Sequence, residues 1–385
     1  EWLAAAARDA VSVNWYFIDR HGNIGYAHTG RYPIRPKDSD PRLPTSGTGE
    51  FEWDGFLPFE DQPQVYNPAQ GYLANWNNKP SDDWPNGDPW FFLWSASDRV
   101  DFLTGALEAK DKLTVEEFVA INEAASYADL NLPYFIGVLN RALGQIDEAR
   151  LERRALAFLN DWDQAWDDSD GDGYYDSPAA AIADAWFTVM IKNTLKDEIG
   201  GKFFYRYASP GYPVDSREES RRVGAGVSIL YHVLNRQESG LDFAYDFLNG
   251  VDVDTAVARA MTEAVEILSD TYGADPANWR LPVPRQIFRT TNFYGIPQGS
   301  YPTTKSIPIT QNRGSENNIV VAKKGIMTTR NVTPPGQSGF VAPDGATGPH
   351  YADQLDLYAR FEYKNLPLTR QDIERQAESR TILKY

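Results

Sequence analysis

Cysteine is absent from the 385 residues, which removes disulfide scaffolds, thiolate nucleophiles and Cys-ligated zinc from consideration. Histidine is scarce. His21, His28, His232 and His350 are the full set, no two of them at metal-ligand spacing, and there is no H-E-x-x-H. Walker and Rossmann fingerprints are missing, and Gly336-Gln337-Ser338-Gly339 falls one position short of a G-x-S-x-G elbow. A self-contained hydrolase triad therefore has weak support. Apolar runs are short: none reaches the roughly 18 to 20 residues that cross a bilayer. Pro178 to Ile191 comes nearest, is interrupted by Asp184, and reads as a buried helix. No basic-then-apolar leader opens the chain. Glu1-Trp2-Leu3 runs straight into Ala4 to Ala7 with no capping residue in front, so residue 1 reads as a cut or processed end. Positive charge is in deficit, 37 basic against 54 acidic residues for a net charge of −17, which argues against a nucleic-acid binder.

What is present is apolar and aromatic. Hydrophobic residues make up 42% of the chain, with 11 Trp, 21 Tyr and 19 Phe, enough to build a large core in one large domain or two smaller ones. Trp2 to Val11 reads as a helix. Asn14 to Ile18 and Ile24 to His28, joined at His21-Gly22-Asn23, read as a β-hairpin. Residues 30–90 are rich in Pro, Gly, Asn and aromatics and read as long ordered loops. From about residue 98 the period becomes helical. Thr114 and Glu117 form a capping box ahead of Phe118 to Ala128, and helical patterns cover 132–143, 147–160, 178–197, 222–235 and 253–272. Short strands return over 286–345, including Asn318 to Ala322 and Ile326 to Val332, and Thr369 to Leu383 reads as a capped terminal helix. The expected class is α+β, divided as 1–100 (sheet and loops), 101–285 (a helical insertion) and 286–385 (returning strands and a last helix).

Two stretches could carry chemistry on their own residues. Asp168-Ser169-Asp170-Gly171-Asp172-Gly173-Tyr174-Tyr175-Asp176 places oxygens at positions 1, 3, 5 and 9 of a calcium loop, with Gly at 6 and the Tyr174 carbonyl at 7. Position 12 is Ala179 where a bidentate Glu belongs, so the stretch reads either as a calcium site or as a solvated acidic turn. In Asn75-Trp76-Asn77-Asn78, a loop amide among aromatics suits an oxyanion hole, although turn formation is the ordinary role of Asn. Arg99 could orient a neighbouring polar group or sit in a surface ion pair.

A series of motifs then resembles one family. Asn14-Trp15-Tyr16, Gly22 to Gly30, Asp40-Pro41-Arg42-Leu43-Pro44, Asn75 to Asn78 and Asp98-Arg99-Val100 occur in order, followed by Gln311-Asn312-Arg313-Gly314, Pro335 to Gly339, His350-Tyr351 and Asp353-Gln354. Together they resemble the β chain of the penicillin G acylase family over essentially the whole length. The resemblance implies part of a four-layer αββα N-terminal-nucleophile hydrolase sandwich with an inserted helical block. It implies a periplasmic or secreted amidase, matured by autoproteolytic processing into a heteromer. It implies that Asn77 is the oxyanion-hole donor, that Arg99 orients it, and that Val13 lines the acyl pocket. It also implies that the Pro41 carbonyl and the Asp88 carboxylate are ligands of a structural Ca2+. The family nucleophile is the serine at the amino terminus of the β chain. Glu1 cannot take that role, so the serine is expected from another segment of the same precursor, which together with the α chain is the expected partner. The expected reaction is cleavage of the side-chain amide of penicillins. Acyl-homoserine-lactone, cephalosporin and lipopeptide acylases of the same superfamily are the alternatives. A non-catalytic, calcium-stabilised binding module is the alternative from a different class.

Overall fold

The computed structural model describes residues 1–40, 43–84, 98–204, 225–283, 285–289, 304–308, 313–314 and 316–384. In chain order the elements are α1 (Trp2–Ala6), β1 (Val13–Ile18), β2 (Ile24–Thr29), β3 (Gln64–Tyr66), α2 (Val100–Glu108), α3 (Val115–Tyr127), α4 (Ile136–Leu143), α5 (Leu151–Asp161), α6 (Pro178–Phe203), α7 (Ala225–Leu234), α8 (Arg236–Ser239) and α9 (Val253–Tyr272). They continue as β4 (Arg285–Arg289), β5 (Thr304–Pro308), β6 (Asn317–Lys323), β7 (Ile326–Val332), α10 (Leu355–Ala359), β8 (Lys364–Leu366) and α11 (Arg370–Gln376). The chain is α+β, with strands on either side of a helical block.

The hairpin forms where the alternating residues placed it. β1 pairs antiparallel with β2 from Val13 opposite Thr29 to Ile18 opposite Ile24, and β3 adds to the far side of β2. Gly22 supplies the positive φ of 85° that the tight connection needs. Tyr26, Ala27, His28 and Thr29 of β2 are buried, whereas Trp15 and Tyr16 of β1 are exposed.

The main apolar core lies in the helical block. Within residues 132–283 it joins α4, α5, α6, α7 and α9, with Phe135, Trp186 and Trp279 among its largest buried side chains. α6 is buried over most of Ala179 to Leu195, with Thr188 and Asn193 exposed, so neighbouring helices cover all but a narrow strip of it. Phe135 meets Trp186 and Phe187 at ring-centroid distances of 5.9 and 5.1 Å. No helix among the described residues is long and apolar enough to cross a membrane. α3 begins with both halves of the expected capping box: the Glu117 amide donates to Thr114 Oγ1 at 3.2 Å, and the Thr114 amide donates to Glu117 Oε2 at 2.8 Å.

Several helices differ from their sequence outlines at an end, and α4 and α5 begin at Ile136 and Leu151, later than the patterns that start at 132 and 147. α1 stops at Ala6, five residues earlier than the pattern. α11 stops at Gln376, because the apolar residues Ile382 and Leu383 stay exposed and no packing extends the helix. α6 runs past residue 197 to a break at Gly200, whose φ of 74° leaves the helical region. In the last third, β6 and β7 pair from Asn317 opposite Val332 to Lys323 opposite Ile326, and β8 joins β7. Two late motifs pack on each other there: the Gln354 amide donates to the Pro335 carbonyl at 2.9 Å, and the Ser338 amide to the His350 carbonyl at 3.0 Å.

Candidate active site and acidic loop

The Asn75–Asn78 stretch folds into a turn held by its own amides. The Trp76 amide donates to Asn78 Oδ1 at 3.0 Å and the Asn77 amide to Asn75 Oδ1 at 3.3 Å. Asn77 has φ of 63°, the left-handed region where Asn is at ease because its short polar side chain tolerates the crowding.

Arg99 precedes α2 and reaches back across the turn. Its Nε donates to the Trp76 carbonyl at 2.9 Å and its Nη2 to Asn77 Oδ1 at 2.6 Å, while the guanidinium lies 5.1 Å from the Trp76 ring centroid. A charge-assisted bond to the oxygen decides which way the Asn77 amide faces: the carbonyl end toward Arg99, the NH2 end on the opposite side. Asn77 is exposed, so that donor is presented at a surface. Arg99 is in turn seated by the helical block. The Tyr134 hydroxyl lies 2.6 Å from the Asp98 carbonyl and 2.5 Å from Asp101 Oδ2, and the Asp98 amide donates to the hydroxyl at 2.9 Å. Burial raises the Tyr134 hydroxyl above its ordinary pKa, with the Asp101 carboxylate adding to it, so it stays protonated as a donor. Burial also pushes the Asp98 carboxyl up, partly offset by the Val100 amide at 3.0 Å. Tyr134 carries no sequence signal for this work, because it lies 36 residues from Asp98 and the two meet through tertiary packing alone.

Val13 opens β1, half-buried opposite Thr29, whose hydroxyl donates to the Val13 carbonyl at 3.2 Å. Pro41 and Asp88 lie outside the described residues.

The acidic loop gathers part of its expected ligand set. Carboxylate oxygens of Asp168, Asp170 and Asp176 all lie within 4.8 Å of one another. Asp168 Oδ1 is buried, and no hydrogen-bond donor reaches it among the described residues. Gly171 and Gly173, at φ of 72° and 89°, allow the tight winding. Asp172 turns elsewhere: it accepts from the Tyr174 amide at 2.8 Å and pairs with Arg280 at 3.3 Å. Asp176 accepts from the Ser169 hydroxyl at 2.5 Å. Ala179, at position 12, already lies buried in α6. Burial and the crowd of neighbouring carboxylates, Asp176 foremost, push the Asp167 carboxyl up.

Comparison with known proteins adds a wider frame. The family model described as penicillin amidase matches residues 2–375. The chain is 38% identical to penicillin G acylase of Escherichia coli over 389 residues, covering all of this chain and 46% of that protein. It is 22% identical over 388 residues to the acyl-homoserine lactone acylase QuiP of Pseudomonas fluorescens, covering 95% of this chain and 45% of the relative. Among solved structures, a thermostable penicillin G acylase from Alcaligenes faecalis matches with a TM-score of 0.88 at 34% identity, covering all of this chain and 69% of that one. The chain spans about half the length of the curated relatives it matches.

Proposed function

Because the chain belongs to the penicillin amidase family, we propose that it is one part of an acylase that hydrolyses the side-chain amide of penicillin G or a related aromatic acyl amide. The missing length of the relatives supplies the rest, including the α chain and the serine that attacks. That hydroxyl adds to the amide carbonyl with the serine's own α-amine as base. Negative charge develops on the carbonyl oxygen, and Asn77 Nδ2 donates to it. The tetrahedral intermediate then expels the amine, and water releases the acid from the acyl-enzyme. Val13 forms an apolar wall for the acyl group. The assembled enzyme is periplasmic or secreted.

The observation that carries this reading is the 2.6 Å bond from Arg99 to Asn77 Oδ1, which presets the donor end of the amide before substrate arrives. A Ca2+ ion belongs to the same reading at two places. Pro41 and Asp88 are proposed as ligands of a shared ion on the family resemblance. Asp168, Asp170 and Asp176 are proposed for a second ion. An all-oxygen donor set, with one buried oxygen lacking a donor, suits a hard divalent cation. A lactone-acylase reading has less support, because those relatives are 22–25% identical against 38% for the penicillin G acylase.

Turnover tests the proposal. The complete enzyme, with a serine confirmed at the amino terminus of the partner segment, should release chromophore from a phenylacetyl anilide faster than it cleaves the acyl amide of long-chain acyl-homoserine lactones. Preference for the lactones, or inertness toward the anilide despite that serine, overturns it.

A further inference from the structure

A buried polar chain fastens the sheet end that carries Val13, and the proposed chemistry makes no use of it. Tyr26, His28, Thr29, Tyr32 and Trp84 are all buried. Asn14 Oδ1 accepts the Tyr26 hydroxyl at 2.7 Å and faces His28 Nδ1 at 2.8 Å. An amide oxygen can only accept, so Nδ1 meets it as a donor. On the other side of the ring, His28 Nε2 stands 2.5 Å from the Tyr32 hydroxyl, which lies 2.6 Å from Ser12 Oγ. Thr29 Oγ1 donates to the carbonyls of Val11 and Val13 at 3.1 and 3.2 Å. The residues on both sides of Val13 thus end in one pair of rings, and the Val13 carbonyl ends in the residue next to His28.

The same pair of rings also receives the stretch that follows Asn77. Trp84 closes a turn through its amide on the Ser81 carbonyl at 3.1 Å, and its indole lies edge-on to His28 at 5.1 Å and to Tyr32 at 4.8 Å. Burying five polar groups costs desolvation that an apolar cluster would avoid. What the hydrogen-bonded members add is a single defined arrangement, against which Trp84 packs by its ring while its indole N–H finds no hydrogen-bond partner among the described residues. Here that arrangement joins the two segments bearing Val13 and Asn77.

We infer that Tyr32 and His28 are positioning residues: acting through Ser12 and Asn14, they set where the Val13 wall stands, and so set the preference for a flat aromatic acyl group. This inference rests on the acylase reading above. Losing one fastening hydroxyl should loosen the wall without touching the reacting atoms, so the loss belongs in KM for the fitting acyl group and not in kcat.

The experiment uses the complete processed enzyme with Ser12→Ala, Ser12→Thr and Tyr32→Phe, assayed on phenylacetyl and hexanoyl anilides alongside thermal melts. Ser12→Ala and Tyr32→Phe should raise KM for the phenylacetyl anilide about 3- to 10-fold, as expected for one lost hydrogen bond. KM for the flexible hexanoyl anilide and both kcat values should stay within about twofold, and Ser12→Thr should restore the parent KM because it keeps the hydroxyl. Equal KM changes on the two anilides, unchanged values, or no rescue by Ser12→Thr overturn the inference. If Tyr32→Phe does not fold, the Ser12 pair decides, since Ser12 is exposed. A parent enzyme inert on both anilides refutes the acylase reading itself, whereas an active parent matched by its variants refutes the positioning role alone.

Discussion

Asn77 combines two demands that usually fall on different residues. Its backbone needs a side chain at ease with φ of 63°, and its amide is placed by Arg99 with the oxygen spoken for and the NH2 turned away. Lysine at position 99 would keep the charge but lose the fork that grips both the Trp76 carbonyl and the Asn77 oxygen. An oxyanion donor acts on charge that exists only in the transition state. Asn77→Ala in the complete enzyme should therefore cut kcat by about 10²- to 10³-fold while KM changes little. Steady-state kinetics on a phenylacetyl anilide would show it, and near-parent kcat would remove Asn77 from the chemistry. The melt should fall slightly, because alanine is less comfortable at positive φ.

At the scale of elements, α6 organises the helical block and ends in an acid pair. Asp197 and Glu198 stand side by side just before the break at Gly200, and Asn249 Nδ2 donates to Asp197 Oδ2 at 2.9 Å. Burial, and then the neighbouring Asp197 carboxylate, push the Glu198 carboxyl up from 4.5 to about 7, with Asp246 adding repulsion. A carboxyl whose folded pKa lies above its unfolded value binds the proton better when folded. Its contribution is fully present below about pH 4.5 and is lost as pH rises toward 7. Denaturant titrations at pH 5 and pH 7 should show less stability at the higher pH, and Glu198→Gln should shrink that difference. An identical pH difference in the variant would discharge Glu198 from the effect. Other elements were legible as patterns. The α3 capping box and α9 match the sequence closely, because capping and 3.6-residue periodicity are local. The ends of α1 and α11 were not, because packing decides where a helix frays.

At the scale of the whole molecule, the acidic loop joins α5 to α6 and also reaches the segment after α9. The Val283 amide donates to the Gly173 carbonyl at 2.9 Å, Tyr174 bridges to Pro282, and Arg280 pairs with Asp172. An ion bound by Asp168, Asp170 and Asp176 would hold three parts of the block together, so millimolar Ca2+ should raise the melting temperature and a chelator should lower it. The double substitution Asp168→Asn with Asp170→Asn should abolish the response of this loop. Melts indifferent to Ca2+, with no calcium by elemental analysis, would reject both proposed ions.

Local rules determined a good deal from the residue order: the hairpin and its turn, the caps, the helical periods, the buried character of α6 and the family motifs, each of which depends on neighbours within a few positions. The Asp168–Asp176 pattern was visible too, but not that Asp172 would turn to Arg280, 108 residues away. Tertiary structure alone decided that Tyr134 seats the start of α2 and that His28, Tyr32 and Trp84 meet. Such contacts join positions tens of residues apart, and they form because burying aromatic surface brings those segments together and the enclosed polar groups must then find partners.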